Sequence, residues 1–353
     1  MGEFRRGRLP DKSRAKALSG CWCFILQLLL FHSLRAGFMK QKHSAGYYFR
    51  PMTWPFWAIH IGCFAAFFTE FSWWYVALAF AGYALRMFGV TGGYHRYFSH
   101  RTYSTSRWFQ FVIAFLAMTS VQKGVIWWAS HHRHHHSHSD QEDDTHSPQD
   151  GFWWSHVGWI LSDENNHTEE HYVRDLMRYP ELVWLNKYHL VPPIVWGVAM
   201  FLIAGIPGLV WGLCISTVLC WHGTFTINSL SHTWGKQRYV TTDTSRNNPV
   251  LALITLGEGW HNNHHRFQSS ARNGFFWWEL DITYYTLKML SFVGLVWDLR
   301  PVPKHLLDSH HESWIKNQPD HLQAIPKPRS VAPVIAPAVK AAKPAMAAVA
   351  EEA

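Results

Sequence analysis

Several features that mark common redox and nucleotide-binding proteins are missing from this sequence of 353 residues. It has only five cysteines and no CxxC pair, which excludes a disulfide framework and an iron–sulfur ligand set. A glycine-rich dinucleotide loop and a haem attachment motif are also missing, so any electrons that the protein uses must come from a separate donor. We expect the cysteines to be inert packing residues: Cys21, Cys23, Cys63, Cys214 and Cys220.

Acidic residues are in the minority. The chain has 24 Asp and Glu against 32 Lys and Arg, which gives a formal net charge of +8. A basic chain can bind nucleic acid, but no basic helix or aromatic-basic motif accompanies this charge, so we predict no nucleic-acid partner. The charge instead fits attraction to a membrane surface.

Charge is also nearly missing from four apolar runs, residues 52–71, 73–90, 190–204 and 208–219. Runs of this length are candidate membrane spans. Short turns at residues 70–72 and 205–208 join them in pairs, and the second turn contains Gly and Pro. The sequence therefore predicts an all-α integral membrane protein with four transmembrane helices in two hairpins.

The two short turns contain no Lys or Arg, whereas the N-terminal, central and C-terminal segments are basic. By the positive-inside rule, both termini and the histidine-rich segments face the cytoplasm, where we expect them to form a helical cap. We divide the chain into an N-terminal extension (1–50), a membrane domain (51–305) and a polar, then Ala/Pro-rich, disordered tail (306–353). The extension resembles a signal peptide but lacks a cleavage site, so we expect a peripheral helix or a later start at Met39.

Histidine is the abundant residue of this chain, with 25 copies. Eight lie in three packets, HxxxxH at 95–100 and HxxHH at 132–136 and 261–265. Imidazoles at i, i+3 and i+4 share one face of a helix, whereas the HxxxxH pair is about 140° apart on an α-helix and should not share a face. Eight imidazoles are too many for one metal ion and predict two, but they do not choose among zinc, copper, iron and nickel.

The ordered motifs HRYFSH, HRHHH and GEGWHNNHH, with GFWWSHVGW at 151–159 and NSLSH at 228–232, resemble the integral-membrane fatty acid desaturases. The likeness is to the stearoyl-CoA (delta-9) type, in a bacterial-like branch, and it runs from about Trp54 to about Pro303. It implies an enzyme that uses O2 and two external electrons to place a cis double bond, at delta-9, in a saturated acyl chain. Zinc has no redox chemistry, so iron is the metal expected for this reaction.

The resemblance also implies a ligand set for two iron ions. One iron would be bound by His95, His132, His136 and His264, and the other by His100, His135, His232, His261 and His265. Asn228, four residues before His232 on the same helical face, would bind through a water. We expect His131, His134 and His138 to point away from the metals. The acidic run at 140–144 could accept hydrogen bonds from the ligands or from Arg133, or be a solvated loop.

The sequence leaves two acyl carriers open. The family favours acyl-CoA, but Ser130-His131 and Gln149-Asp150 stand where the animal branch has cationic phosphate contacts, which makes an acyl lipid a close second. Weak candidates for substrate contacts are Lys123, Trp128 and Trp154. The electron donor would be a ferredoxin or a cytochrome b5-type protein with its reductase, steered by the basic face.

Two other functions remain open. A membrane hydroxylase carries similar histidine boxes, although the second box with NSxxH and GEGxHNxHH is closer to the desaturases. A metal transporter is the other alternative, and against it the histidines cluster outside the apolar spans instead of lining a path through them.

Overall fold

The computed structural model describes residues 45–308, so the predictions for the basic and apolar N-terminal segment and for the C-terminal tail fall outside the described residues. Within that range the chain is mostly helical. The α-helices are α1 (Trp54–Cys63), α2 (Trp73–Phe88), α3 (Arg107–Met118), α4 (Val125–His138), α5 (Pro180–Lys187), α6 (Val191–Pro207), α7 (Ser216–Ser229), α8 (Pro249–Ile254), α9 (His261–Arg266), α10 (Ile282–Phe292) and α11 (Lys304–Asp308). Three π-helices cover Gly89–Ser99, Trp154–Gly158 and Gly208–Ile215. Short 3₁₀ helices cover Ala45–Phe49, Pro51–Thr53, Phe64–Phe68, Pro148–Asp150, Asp163–Asn166, Glu170–Tyr172 and Leu230–His232.

One antiparallel strand pair departs from the predicted all-helical fold. Strand β1 (Ser104–Thr105) pairs with β2 (Val296–Trp297), with Ser104 opposite Trp297. The prediction is wrong in this detail because strands of two residues carry no alternating pattern in the sequence. Their partners are also distant along the chain. The pair ties the segment before α3 to the segment after α10.

Two helical stretches are long and apolar enough to cross a membrane, Trp73–Ser99 with 27 residues and Val191–His232 with 42. In the longer stretch, only 28% of the most apolar window is buried inside the protein. The core helix of a soluble protein would be mostly buried, and an exposed apolar surface of this size points to contact with lipid. These two stretches support the predicted membrane location, whereas the count of four spans stays a prediction.

The longer stretch folds back on itself at the predicted turn. Ala204 and Gly205 leave the helical conformation, and Gly205 has a φ of +61°, which favours glycine. The indole Nε1 of Trp196 donates to the Gly212 carbonyl oxygen at 2.9 Å. A Cβ added to Gly208 would lie only 2.0 Å from the Met200 carbonyl oxygen. These contacts join residues before and after the turn in antiparallel order, so the chain turns where predicted, while crossing of the membrane by both arms stays a prediction.

The first predicted span is shorter and broken. It divides into α1, with ten residues, and the 3₁₀ helix Phe64–Phe68, with five. A helix needs about 20 residues to cross the hydrocarbon core, so crossing by this segment stays a prediction. The chain leaves the helix after Phe68, and Ser72 begins α2 by accepting a hydrogen bond from the Trp74 backbone N–H at 3.2 Å. Both α1 and α2 pack against the π-helix Gly208–Ile215.

The histidine-bearing segments fold around the end of α2. The π-helix Gly89–Ser99 continues α2 and packs against α3 and α4. Close approach to α3 requires a glycine, because a Cβ at Gly89 would lie 2.9 Å from the Ala117 backbone nitrogen. Arg96 is fully buried and forms ion pairs with Glu258 at 3.0 Å and Asp281 at 2.9 Å. These pairs fix the first histidine box against the segment that carries the third.

The three cysteines in the described range are free, and Cys63 and Cys220 are buried among apolar side chains. This agrees with the packing role predicted for them. The predicted domain limits at residues 50 and 305 stay predictions.

Candidate metal centre

The second and third histidine boxes lie on helices, as their spacing predicts. Residues 132–136 are in α4 and residues 261–265 are in α9. The first box lies at the end of the π-helix Gly89–Ser99, and His232 ends the 3₁₀ turn that follows α7. Four separate elements therefore bring histidines to one place.

Five imidazoles form a first cluster in which one nitrogen of each ring lies within 4.8 Å of those of the others. The members are His95, His100, His132, His136 and His264. Their Nε2 atoms face one another, at 3.0 Å between His95 and His264 and 2.8 Å between His100 and His132. This arrangement suits one metal ion bound by imidazole nitrogens.

A second cluster contains His135, His232, His261 and His265, all buried. The Nε2 atoms of His232 and His261 are 3.0 Å apart. Each helical box contributes to both clusters. The second box gives His132 and His136 to the first cluster and His135 to the second. The third box gives His264 to the first cluster and His261 and His265 to the second. The rings of His136 and His265 lie 4.5 Å apart, so the two clusters are adjacent.

His100 is in the first cluster, which corrects two expectations. The sequence argument assumed an α-helix, on which His95 and His100 would not share a face, and the resemblance assigned them to different irons. The structure instead has a π-helix here, with the His100 backbone N–H bonded to the His95 carbonyl oxygen at 3.2 Å. Hydrogen bonds between residues five apart stack those residues on one face. The two rings are therefore only 4.8 Å apart.

Carboxylates hold the outer nitrogens of four of these rings. The Nδ1 atom of each ring lies beside one carboxylate oxygen: His95 beside Glu258 at 2.7 Å, His135 beside Asp144 at 3.0 Å, His232 beside Asp140 at 3.1 Å and His265 beside Asp243 at 2.5 Å. At His135, His232 and His265 the contact is a hydrogen bond in which the carboxylate accepts, so Nδ1 carries the proton and Nε2 is left as a bare lone pair. These lone pairs point into the clusters with no proton to share, an arrangement that a metal ion satisfies.

The charges agree with this assignment. Burial lowers the pKa of His132, His136, His261 and His264 well below the usual range, which keeps these ligands neutral. Although burial acts in the opposite direction, hydrogen bonds from His232 and Thr244 lower the pKa of Asp140 to about 2. The pKa values of Asp144 and Asp243 are lowered in the same way by His135 and His265. The pKa of each of the four carboxylates is lowered, and their negative charge suits two divalent cations.

A cavity of about 800 Å³ reaches the first cluster. Its wall includes His132 and Asn228, and aromatic and aliphatic side chains form most of the rest. The polar part of the lining contains Lys123, whose ammonium donates to the Asn166 amide oxygen at 2.7 Å and lies 4.2 Å from the Trp127 ring. A cavity with a mostly apolar surface and some polar groups is typical of a site for a small lipid-like ligand.

The three weak candidates for substrate contacts differ in position. Lys123 and Trp128 line the cavity, and Trp128 stacks on His132 with ring centroids 4.9 Å apart. Burial lowers the pKa of Lys123 to about 8. Trp154 is buried outside the cavity lining, packs with Trp127 and Trp159, and donates to the Thr145 carbonyl oxygen at 3.1 Å. The structure therefore does not support a substrate contact for Trp154.

The remaining residues of the second box lie outside both clusters, as expected. His131 is buried and its Nδ1 bonds to the Trp127 carbonyl oxygen at 3.0 Å, while His134 pairs with Glu169. His138 bonds within α4. Arg133 donates to Asp175 at 2.7 Å and not to the acidic run. Of that run, Asp140 and Asp144 accept from ligand histidines, so it is not simply a solvated loop.

Sequence reasoning missed two of the four supporting carboxylates. Asp243 is in a loop without any motif, and Glu258 lies three residues before His261 of the third box but contacts His95 instead. Both contacts join residues far apart in sequence, so no local pattern could reveal them.

A comparison with protein families finds that the fatty acid desaturase model matches residues 71–289. The palmitoyl-monogalactosyldiacylglycerol delta-7 desaturase of Arabidopsis thaliana is 39% identical over 236 residues, which cover 65% of this chain and 63% of that protein, less than two thirds of its length. The sn-2 palmitoyl-lipid 9-desaturase of Nostoc sp. is 37% identical over 231 residues, covering 64% of this chain and 81% of that protein. The acyl-CoA 5-desaturase AL21 of Anemone leveillei is 36% identical over 247 residues, covering 69% and 76%.

Proposed function

The chain belongs to the fatty acid desaturase family, and we propose that it is a membrane di-iron enzyme that introduces a cis delta-9 double bond into a saturated acyl chain carried by a lipid. The observation that carries the proposal is the junction of two neighbouring imidazole clusters with a mostly apolar cavity. The cavity can hold a flexible apolar chain, and His132 is in both the cavity wall and the first cluster.

The nine clustered histidines, together with Asn228 through a water, would hold two iron ions. When bound, these ions would supply the reduction of O2 to two waters with two external electrons and two protons, while two hydrogens leave adjacent carbons of the acyl chain. Imidazole ligands and four carboxylates at their outer nitrogens fit this pair of cations. The redox demand of the reaction favours iron over zinc.

The protein's own residues bind and orient the chain. Trp221, Phe225 and other apolar side chains exclude water from the cavity, which leaves the acyl carbons with few possible positions. Trp128, stacked on His132, forms the wall next to the first cluster. In α7, Asn228 follows Trp221 and Phe225 on the same face, so the cavity leads along α7 toward the metal centre.

Lipid is the carrier that the relatives and the cavity favour together. Relatives named as acting on palmitoyl-lipid and stearoyl-lipid are 36–37% identical to this chain. Coenzyme A carries several phosphates, which call for several cations, and Lys123 is the one Lys or Arg among the described residues that line the cavity. Acyl-CoA, which the sequence analysis ranked first, is the second candidate, and the Anemone relative named as an acyl-CoA desaturase supports it.

For the topology we propose four spans with the histidine face and both termini in the cytoplasm. Labelling a single introduced cysteine in a background free of other cysteines tests it. Ser147 is buried, so exposed Gln149 is the better position on the histidine face, and exposed Glu70 serves on the other side. An impermeant thiol reagent added to intact cells should label Glu70→Cys and not Gln149→Cys, and the reverse pattern contradicts the topology.

The electron donor would be a separate ferredoxin or cytochrome b5-type protein.

Product analysis tests the reaction itself. Iron-loaded membranes containing the protein receive labelled stearoyl phospholipid or labelled stearoyl-CoA, O2 and a reductant with its carrier. We expect an O2-dependent monounsaturated product from the phospholipid. Product from stearoyl-CoA alone overturns the lipid assignment, an alcohol indicates a hydroxylase, and no product from either substrate contradicts a desaturase.

A further inference from the structure

Three histidines outside the metal clusters form a continuous hydrogen-bonded chain. His60 of α1, His222 of α7 and His156 of the π-helix Trp154–Gly158 are linked ring to ring. His60 Nε2 lies 3.1 Å from His222 Nε2, and His222 Nδ1 lies 3.0 Å from His156 Nε2. The chain therefore joins the first apolar segment, the second hairpin and the central region.

Both ends of the chain are closed by non-ionisable groups, the Phe56 carbonyl oxygen at 2.8 Å from His60 Nδ1 and the Ser229 hydroxyl at 2.9 Å from His156 Nδ1. A carbonyl only accepts, so His60 carries its proton on Nδ1 and accepts at Nε2 from His222. His222 then accepts at Nδ1 from His156, and the Ser229 hydroxyl, which also lies 3.0 Å from the Phe225 carbonyl oxygen, can donate to His156 Nδ1. With the Ser229 hydroxyl donating to His156, every ring nitrogen has one partner while all three rings remain neutral.

Burial is consistent with neutral rings. His156 is buried, and burial lowers its pKa to about 3. No carboxylate is bonded to any ring of the chain in the described structure, unlike the rings of the metal clusters. The nitrogens are used in pairs, so no bare lone pairs converge on a common point.

The histidine chain packs directly behind three aromatic residues of the cavity wall. The His60 ring is 4.4 Å from Phe56, which in turn stacks on Trp221 at 5.0 Å and 12°. The rings of His156 and His222 are each 5.8 Å from Phe225. Phe56, Trp221 and Phe225 all line the cavity, whereas the three histidines do not. Movement of the imidazoles would thus move the wall.

That wall extends away from the metal centre along α7. Trp221, Phe225 and Asn228 are spaced by four and three residues, so they lie on one helical face. Seven residues of α-helix rise about 10 Å, so Trp221 is about that far along the cavity from the Asn228 end. The Trp221 indole is also fixed from the other side, since its Nε1 donates to the Ser120 carbonyl oxygen at 2.8 Å.

We propose that His60, His222 and His156 are positioning residues that hold this aromatic wall and thereby determine which carbons of the acyl chain reach the metal centre. The inference rests on the proposed function and adds a determinant of double-bond position to it. Each hydrogen bond fixes the orientation of an imidazole ring that contacts a residue of the cavity wall. Its loss would let the wall relax and admit chains shifted by one or more methylenes.

The test is the positional composition of the product. His222→Phe keeps an aromatic ring and removes both internal links of the chain. A hydrophobic site distinguishes binding modes that differ by one methylene by about 10- to 200-fold, so we expect the fraction of neighbouring double-bond isomers to rise about tenfold. Cells express the full chain, and mass spectrometry of dimethyl disulfide adducts of their membrane lipids gives this fraction directly.

Trp211→Phe is the matched control. It removes the hydrogen bond from the Trp211 indole to the Thr69 hydroxyl at 3.2 Å, which also joins the two apolar regions but lies outside the cavity lining. We expect Trp211→Phe to lower the amount of protein at most and to leave the isomer fractions at their wild-type values. A purely structural role for the histidine chain predicts the same result for His222→Phe, so unchanged isomer fractions in that variant overturn the proposal.

A second pair of variants covers failure of His222→Phe to accumulate. His60→Phe removes one terminal link at a half-buried site, and His60→Gln supplies an amide oxygen that can accept from His222 in place of Nε2. We expect His60→Phe to broaden the isomers and His60→Gln to restore them. Equal isomer fractions in both overturn the proposal, whereas a wild type that makes no double bond contradicts the proposed function instead.

Discussion

The protein uses histidine in two opposite ways around one cavity. In the metal centre, carboxylates bind the outer nitrogens of four rings, and the Nε2 atoms of nine rings converge in two clusters. In the chain of His60, His222 and His156, a carbonyl and a hydroxyl close the ends, and each inner nitrogen is bonded to the next ring. The group bonded to the outer nitrogen therefore determines whether the ring can bind a metal ion or joins a hydrogen-bonded chain.

The hydrogen-bond partners of a buried histidine indicate whether it can bind a metal ion. An ionised carboxylate fixes a proton on Nδ1 and leaves a lone pair at Nε2, so several such rings facing one point form a site for a cation. A neutral chain instead satisfies each nitrogen internally and has no capacity for a metal ion.

The largest effect is expected from removing a ring of the second cluster. His135→Ala deletes a proposed Fe–N bond and leaves Asp144 without its buried partner, so desaturation should fall below detection while the protein stays in the membrane. His138→Ala, on the same helix, is the control, because the His138 ring bonds only to the His134 carbonyl oxygen within α4. Product analysis and immunoblotting of membranes measure both. Full activity in His135→Ala would remove this ring from the ligand set.

A carboxylate substitution should have a smaller but clear effect. Asp144→Asn keeps the shape of the side chain but removes the charge that holds the proton of His135. Loss of such a supporting group typically lowers metal affinity by about 10- to 100-fold, and we expect a loss in that range. Competition with a chromogenic chelator measures the affinity. The control is Asp143→Asn, whose side chain is exposed one residue earlier, and equal affinities in the two variants would contradict the role of Asp144.

The histidine chain should contribute to stability without affecting metal content. His156→Phe leaves His222 Nδ1 without a partner, and a buried unsatisfied polar group costs about 1–3 kcal/mol. We expect a lower thermal unfolding temperature with the same metal content per chain. Loss of metal from this variant would show that the two histidine assemblies are not separate.

The smallest effect concerns Lys123, a charge at the cavity that belongs to neither assembly. Burial lowers its pKa to about 8, so the ammonium is charged below that pH and neutral above it. For a lipid with an anionic headgroup, KM should be constant below pH 8 and rise by up to about tenfold above it, as loss of one charge contact suggests. Lys123→Gln should remove this pH dependence and raise KM at neutral pH. A pH profile of KM that is the same in both proteins would exclude a headgroup contact.

Local patterns in the sequence predicted the helical boxes, the turn at Gly205 and eight of the clustered histidines, whereas His232 was implied by the family resemblance. These features depend on spacing and on turn residues, which are visible along the chain. The position of His100 was not predictable by the same rule, because the choice of a π-helix depends on how the segment packs against α3 and α4. The partners Asp243 and Glu258, and the links among His60, His156 and His222, join residues that only the folded chain brings together.

The most direct test of the division between the two histidine assemblies is the iron content of protein purified from iron-supplied cells. Wild type, His232→Ala and His222→Phe are compared by elemental analysis per chain. We predict about two iron atoms in the wild type and in His222→Phe, since nine imidazoles in two clusters suit two ions, and fewer in His232→Ala. Equal iron in all three proteins, or a loss of iron in His222→Phe as large as in His232→Ala, would contradict the account.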